Sequence, residues 1–360
     1  MYFYFKPVCS AIKSFMSTEK QKNSLFGLSL PQLTRIANEE RLPVFTAKQI
    51  ADWLYKKEIS NISEMTNLSL KVREQLSTQY DISLIPPIKE QISNDGTKKY
   101  LFPTAAGKYI EAAYIPEEDR ATLCISTQAG CKMGCLFCMT GRQGFQGNLT
   151  VREILNQLRS IPEYHKVSNL VYMGMGEPFD NLDNVMQSLE VLTSGWGMGW
   201  SPTRITVSTI GILPGLRVFL EQSRCHLAIS LHNPFDDERQ TLMPIQKVYP
   251  IQQIVKEIKK ADIHGQRRVS FEYIMFDGVN DTPVHVNELI RLLKGLECRI
   301  NLIRFHPIPD TQLSGTPDSK ILEFRNALTK KGIFTTIRAS RGQDIQAACG
   351  LLSTKELLKK

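Results

Sequence analysis

The chain has 360 residues, 42 % of them hydrophobic, and a mean hydropathy of -0.20, enough to bury a substantial core in one large α/β domain with a small accessory unit. Its net charge of +8 and pI near 9.0 suit a polyanionic partner, because clustered Lys and Arg release counterions from phosphates, although a solvated basic surface explains the charge equally well. No apolar run reaches the roughly 18 residues of a membrane span, and eight unevenly clustered cysteines, at 9, 124, 131, 135, 138, 225, 298 and 349, do not form a secreted disulfide framework; a cytoplasmic location is expected.

The opening stretch MYFYFKPVCSAIKSFM lacks the charged start and long apolar centre of a signal peptide, so residues 1–22 are expected to be a disordered tail. SLPQLTRIANEE from Ser29 and TAKQIADWLYKK from Thr46 place apolar residues at helical spacing behind a cap residue. With LSLKVREQL they predict a helical accessory domain over 23–88, whose Lys48, Lys56, Lys57, Lys71 and Arg73 either touch nucleic acid or, more simply for any single one, line a solvated face. TKKYLFP and GKYIEAAYI flank an Ala106-Gly107 turn and predict a β-hairpin linker over 89–120.

From residue 121 to 352 short buried strands alternate with helical segments: ATLCIS, NLVYMG, RITVST, HLAISL, VSFEYIMF and RINLIRF, with TTIRAS as a further candidate. Such alternation predicts βαβ units and a parallel sheet curved into a partial (β/α)6 barrel, an α/β fold. A short basic tail, 353–360, follows. The chemically distinctive residues fall just after the strands, where parallel folds place their sites.

After the first of these strands comes GCKMGCLFCMTGRQGF, with Cys131, Cys135 and Cys138 inside eight positions and no fourth ligand nearby. Three thiolates hold either zinc or an iron-sulfur cluster. Structural zinc normally takes four protein ligands, whereas a 4Fe-4S cluster on three leaves one iron open to a small molecule. Cys9, Cys225 and Cys298 read as spectator thiols. Cys349, in SRGQDIQAACG near Arg338 and Arg341, has the surroundings of an accessible thiolate.

The C-x3-C-x2-C motif, with Phe137 before its last cysteine, resembles that of the radical S-adenosylmethionine (SAM) superfamily. There the open iron binds the amino and carboxylate groups of SAM, and reductive cleavage yields a 5'-deoxyadenosyl radical. In GMGEP, Glu177 at a strand end would pair with the SAM ammonium, and the glycines would let the backbone approach closely.

Five ordered stretches, RATLCISTQAGCKMGCLFCMTGRQGFQGNLT, MGMGEPFDNLDNV, ITVSTIG, SLHNPFDDERQTLMP and SRGQDIQAACG, together resemble the dual-specificity ribosomal and transfer RNA adenine C2 methyltransferases over about residues 24–353. The resemblance implies that one SAM methylates Cys349 and a second, at the cluster, provides the radical that removes hydrogen from that methyl group. The resulting carbon adds to the electron-poor adenine C2. Cys124 then resolves the protein-RNA adduct by forming a disulfide with Cys349, and Glu111 accepts the C2 proton. It further implies SAM contacts from Gly176, Glu177, Ser208, Ser230, Leu231, His232 and His306, the last standing where the family usually has Asn. Met139 also replaces a smaller residue.

The implied substrates are an adenosine of 23S rRNA (position 2503) and adenosine 37 of certain tRNAs, each unstacked to enter the site. The helical domain and basic hairpin are the expected RNA grips, a flavodoxin or ferredoxin the expected electron donor, and the enzyme a monomer without membrane contact. Two rivals are the sister C8 methyltransferase, which shares the cysteines, and a zinc-containing RNA-binding protein without catalysis. Pro178 and the NLDNV continuation favour the C2 group.

Overall fold

A computed structural model describes residues 22–261, 263, 267–345, 350 and 352–354. The expected tail before Lys22, the expected methyl carrier Cys349, Cys9 and the basic tail after Thr354 lie outside the described residues.

The N-terminal part runs β1 (Asn23–Ser24), α1 (Leu30–Glu39), α2 (Thr46–Tyr55), α3 (Leu70–Gln79) and β2 (Tyr80–Asp81), with β2 parallel beside β1. The backbone N–H of Ser29 donates to Gln32 Oε1 at 2.7 Å, and α1 buries Leu33, Ile36 and Ala37 on one face. This unit packs on the parallel sheet's outer helices. The Tyr55 ring meets Trp196 edge-on with centroids 5.9 Å apart, and Gln187 donates to Gly27 O at 2.8 Å. Its apolar residues join the same continuous core as the sheet.

Three antiparallel strands follow, β3 (Lys89–Ile92), β4 (Lys98–Pro103) and β5 (Tyr109–Pro116). The expected hairpin is therefore part of a larger structure. β5 pairs antiparallel with β6 (Ala121–Cys124), and so the three strands extend the main sheet. The polar run KEQI of β3 carried no strand signal because an edge strand needs no alternating apolar face.

After β6 come β7 (Gln128–Gly130), α4 (Met139–Arg142), β8 (Phe145–Asn148) and α5 (Val151–Arg159), then β9 (Asn169–Tyr172), α6 (Leu182–Thr193), β10 (Ile205–Thr209), α7 (Leu213–Gln222) and β11 (His226–Ser230). The chain continues through α8 (Asp236–Leu242), α9 (Ile251–Lys260), β12 (Val269–Met275), α10 (Pro283–Leu293), β13 (Arg299–Arg304), α11 (Asp318–Lys330) and β14 (Phe334–Ile337).

Ten strands make one sheet, in the order β14-β13-β12-β11-β10-β9-β6-β5-β4-β3. From β6 to β14 all neighbours are parallel. The end strands β3 and β14 do not pair with each other, so the barrel is partial as expected. The TTIRAS candidate does form a strand: β14 pairs with β13 through Asn301 and Thr336, and a seventh parallel strand thus follows the six βα units. Helices cover the outer face. α9 turns Ile251, Ile254, Val255 and Ile258 inward at helical spacing, and Tyr273 of β12 stacks on Phe324 of α11 with centroids 5.6 Å apart. A second, smaller apolar cluster, separate from the main core, gathers Cys131, Cys135, Ile210, Met243 and Phe276 at the carboxyl ends of the strands.

Candidate active site

The loop between β7 and α4 carries the three cysteines. Cys131 and Cys135 are buried and Cys138 half-buried, and Cys138 stands at the N-terminal boundary of α4. Burial first, and neighbouring thiols second for Cys135, raise both buried groups: Cys131 is pushed up to about 12 and Cys135 further. Without a bound cation these residues behave as apolar thiols, but they are a sulfur-only donor set in a dry pocket, the chemistry an iron-sulfur cluster requires. Among the described residues no three His, Cys, Asp or Glu side chains converge on one ion. A cubane demands less, because each thiolate ligates a different corner. The three cysteines therefore fit such a cluster.

Glu177 follows β9 and lies close enough to influence Cys131 and Cys135 electrostatically. Its buried carboxyl accepts from Thr209 Oγ1 at 2.5 Å, from Phe179 N at 3.1 Å and, through Oε2, from Ile210 N at 3.0 Å. Burial outweighs these bonds and moves its pKa up to about 7. Any ammonium reaching Glu177 must share an oxygen already engaged by the ends of β9 and β10. Gly176 has φ +96°, and a Cβ there would lie 2.5 Å from Gln128 Cβ. Close packing against β7 is thus one reason for that glycine.

Ser208 and Ser230 sit on β10 and β11 near their carboxyl ends. Leu231 is fully buried. His232, at φ +55°, is buried in a backbone region that non-glycine residues seldom occupy. Its Nδ1 accepts from Ile274 N at 3.1 Å, and its ring lies 4.8 Å from that of Phe137 in the cysteine loop. Burial, reinforced by Arg239, lowers its pKa to about 3, so it is a neutral packing partner. His306 behaves differently: it is exposed beyond β13, with Nε2 3.1 Å from Ser340 Oγ.

Sequence reasoning missed Arg239. This fully buried residue of α8 donates Nε to Leu231 O at 3.0 Å and Nη2 to Ser230 O at 3.0 Å and Ile210 O at 3.3 Å, while Nη1 reaches Gln246. It ties the ends of β10 and β11 together beneath the cysteines, and burial lowers its pKa to about 10. The DDER run reads as a solvated charge cluster, and nothing local marks the one member that turns inward.

The second group lies around Glu111 on β5, buried together with Lys99 of β4 at 2.7 Å. Glu111 Oε2 also accepts from Gly350 N at 3.0 Å, and Oε1 from Ser353 N at 2.6 Å. On the other side, Gln143 Nε2, just past α4, donates to Gly350 O at 2.6 Å, Ser353 Oγ at 2.9 Å and Thr354 Oγ1 at 2.6 Å. The immediate neighbour of Cys349 in sequence is therefore held between Glu111 and the helix that follows the cluster cysteines. Cys124 is buried on β6, paired in register with Ala113 of β5. Lys99 does not grip RNA, because its ammonium is buried against Glu111. Lys98 is likewise engaged, with Glu163 at 2.7 Å and Glu90 at 2.9 Å.

A partial parallel barrel with three buried or half-buried thiols at its carboxyl end and a carboxylate beside them defines a radical SAM enzyme. The Radical SAM superfamily model matches residues 125–293, and the ribosomal RNA large subunit methyltransferase N-terminal domain matches 23–82. A probable dual-specificity RNA methyltransferase RlmN of Phocaeicola vulgatus is 54 % identical over 342 residues, covering 95 % of this chain and 98 % of its own. The dual-specificity RNA methyltransferase RlmN of Syntrophus aciditrophicus is 41 % identical over 337 residues, covering 92 % and 97 %. A crystal structure of a radical SAM methyltransferase from Sphaerobacter thermophilus superposes with a TM-score of 0.83 at 37 % identity, over 91 % of this chain and 98 % of that one. The chain belongs to the RlmN family of radical SAM RNA methyltransferases, whose cofactors are a 4Fe-4S cluster and SAM. Among the described residues no helix is long and apolar enough to cross a membrane.

Proposed function

We propose that this enzyme methylates C2 of adenosine in 23S rRNA and tRNA, with Cys349 as the methyl carrier. The observation that carries the reading is the anchoring of Gly350 and Ser353 on Glu111 and Gln143, between the cysteine loop and β5. When bound, the cluster at Cys131, Cys135 and Cys138 supplies an electron for SAM cleavage and thereby hydrogen-atom abstraction. Glu177, Ser208, the Ser230–His232 segment and the backbone at Gly176 form the SAM side of the site, with His306 at its outer edge.

On the RNA side, the Cys349 sulfur displaces S-adenosylhomocysteine from one SAM to gain its methyl group, that carbon, after losing one hydrogen atom, bonds to C2, and the adduct radical would return one electron to the oxidised cluster. Glu111 takes the C2 proton. Its Oε2 accepts from Gly350 N and lies 2.7 Å from Lys99 Nζ, and its Oε1 accepts from Ser353 N, so protonation, by removing the charge, weakens all three contacts and couples proton removal to the hold on the Gly350 segment. Cys124 attacks the Cys349 sulfur, the S–CH2 bond breaks, the released carbon takes a proton to become the C2 methyl group, and a disulfide is left between the two. Exposed cations of the helical unit, Lys48 and Lys71 among them, contact RNA phosphates. A flavodoxin or ferredoxin supplies electrons to a cytoplasmic monomer.

The test is the mass of the tryptic peptide 342–355 after anaerobic, cluster-loaded protein meets SAM. A gain of about 14 Da, one CH2, on Cys349 is expected. Cys349→Ala should abolish RNA methylation while retaining cluster and SAM binding. Methylation by that variant would refute the carrier role.

A further inference from the structure

On β12 the side chains alternate between the outer helices and the inner wall of the sheet. Tyr273 faces outward onto Phe324, so its neighbour Glu272 faces inward. Strand register sets Glu272 opposite Ser230 of β11 on one side and Asn301 of β13 on the other, and Asn301 opposite Thr336 of β14. One polar row thus crosses four neighbouring strands. It starts at a residue assigned above to the SAM side.

Within this row Glu272 is 4 % exposed. Its Oε1 is satisfied by Asn301 Nδ2 at 2.7 Å and Ser270 Oγ at 3.2 Å, and Thr336 Oγ1 donates to Asn301 Oδ1 at 2.8 Å, which fixes the amide orientation. Oε2 is buried and has no hydrogen-bond partner among the described residues. The guanidinium of Arg338 lies 3.8 Å away, beyond hydrogen-bond range, and is itself partly exposed. A buried carboxyl oxygen without a donor is costly unless something supplies one. Asn301 and Thr336 are bonded within the row, and this acceptor is left open among the described residues.

We propose that Glu272 is an adenosine-binding residue, its Oε2 accepting a hydrogen bond from a ribose hydroxyl. Two adenosines enter a site of the kind proposed above, on which this inference rests: that of SAM and the target nucleotide of the RNA. Both present the same chemistry. A carboxylate also holds the ribose in dinucleotide folds, and the position of Glu272 opposite Ser230, the last residue of β11, points first to SAM.

Glu272→Gln separates the outcomes. Asn301 Nδ2 donates toward Oε1, so the new amide keeps its oxygen there and turns its NH2 to the Oε2 position, where a ribose hydroxyl can only accept from it and meets no charge. Loss of a charge-assisted hydrogen bond at that point weakens binding by about tenfold or more. Cluster-loaded wild-type and variant proteins are titrated with SAM, and their KM values for a tRNA transcript are measured. The melting temperatures of both cluster-free proteins are compared in parallel.

The expected result is SAM affinity reduced about tenfold or more, with melting temperature unchanged or raised because no internal partner of Oε2 is lost. Intact SAM affinity with a comparably raised tRNA KM would support the same residue and assign it to the RNA adenosine. Unchanged SAM affinity and tRNA KM would overturn the proposal, as would a destabilised variant whose binding is intact, because Glu272 would then serve Arg338 alone. If the wild-type protein itself failed to bind SAM, the underlying reading would fall, and the proposal with it.

Discussion

Replacing Lys99 with Met tests the buried pair that holds Gly350 and Ser353. Lys99 and Glu111 side chains are each 1 % exposed and meet at 2.7 Å. Removing one partner of such a pair costs about 3–5 kcal/mol, since the other charge stays buried without a counter-charge. Glu111 keeps its bonds from Gly350 N and Ser353 N, which places the expected loss at the lower end, about 3 kcal/mol. A chain of this size unfolds with an entropy of about 0.75 kcal/mol/K, so the melting temperature should fall by about 4 °C. The double variant Lys99→Met, Glu111→Leu should recover part of that loss, because the charge left stranded by the single change is gone. Calorimetry of the cluster-free proteins measures both numbers, and amide exchange at Gly350 and Ser353 reports the segment directly. A Lys99→Met protein that melts within about 1 °C of wild type, with both amides still protected, would show that the pair does not support the segment.

Arg239→Met should destabilise the cluster-free protein by about 3–5 kcal/mol in urea titrations, because three strand-end carbonyls lose a buried cationic donor; a loss below about 1 kcal/mol would mean those carbonyls find other partners. Gln143→Ala removes three donated bonds to Gly350, Ser353 and Thr354. It should speed amide exchange at Gly350 and Ser353 without lowering iron content, and parallel loss of iron would contradict the separation of latch from cluster. His226 has its pKa lowered to about 4, first by burial and then by Arg268, Arg299 and Arg267, and its Nδ1 accepts from Arg268 N at 3.0 Å. A depressed histidine contributes stability that is present above pH 6.5 and lost as pH falls through about 4. Denaturation at several pH values should therefore show a shallower acid loss in His226→Gln than in wild type, and equal slopes would remove His226 from the account. Glu177, raised to about 7, acts in the opposite sense and loses its contribution as pH rises from 4.5 to 7, but it is present in both proteins and cancels.

What the sequence revealed was what periodicity and spacing encode. The cysteine loop could be read because ligand spacing is local, and strands β6 and β9 to β13 could be read because strands covered on both faces are apolar throughout. Lys99 could not. A lysine in a hairpin reads as exposed, and only the register, which sets Leu101 opposite Glu111 and Lys99 opposite Ala113, makes Lys99 and Glu111 diagonal neighbours on one face. Arg239 was hidden for a similar reason, since its partners are carbonyls at 210, 230 and 231 rather than side chains with a sequence signature. Glu272 sits inside an apolar strand where nothing but the lateral order of four strands reveals its row.

These hidden residues share one property: each joins elements distant in sequence at the carboxyl ends of the strands. Arg239 fastens β10 to β11, Glu272 aligns β11 with β13, and the Lys99–Glu111 pair with Gln143 holds Gly350 beside α4. Gly350 itself has φ +90°, and a Cβ there would stand 2.8 Å from Thr140 N, so Gly350 is in close contact with the backbone of the helix that begins after Cys138. That contact leaves little slack between the two. A shift of α4 must either carry Gly350 with it or break the Gln143 bonds, whereas protonation of Glu111 weakens the hold from the opposite side. The cysteine loop and Glu111 thus act on the same few backbone atoms. Such an arrangement can let Gly350 and Ser353 be released from Glu111 without disturbing Cys131, Cys135 and Cys138.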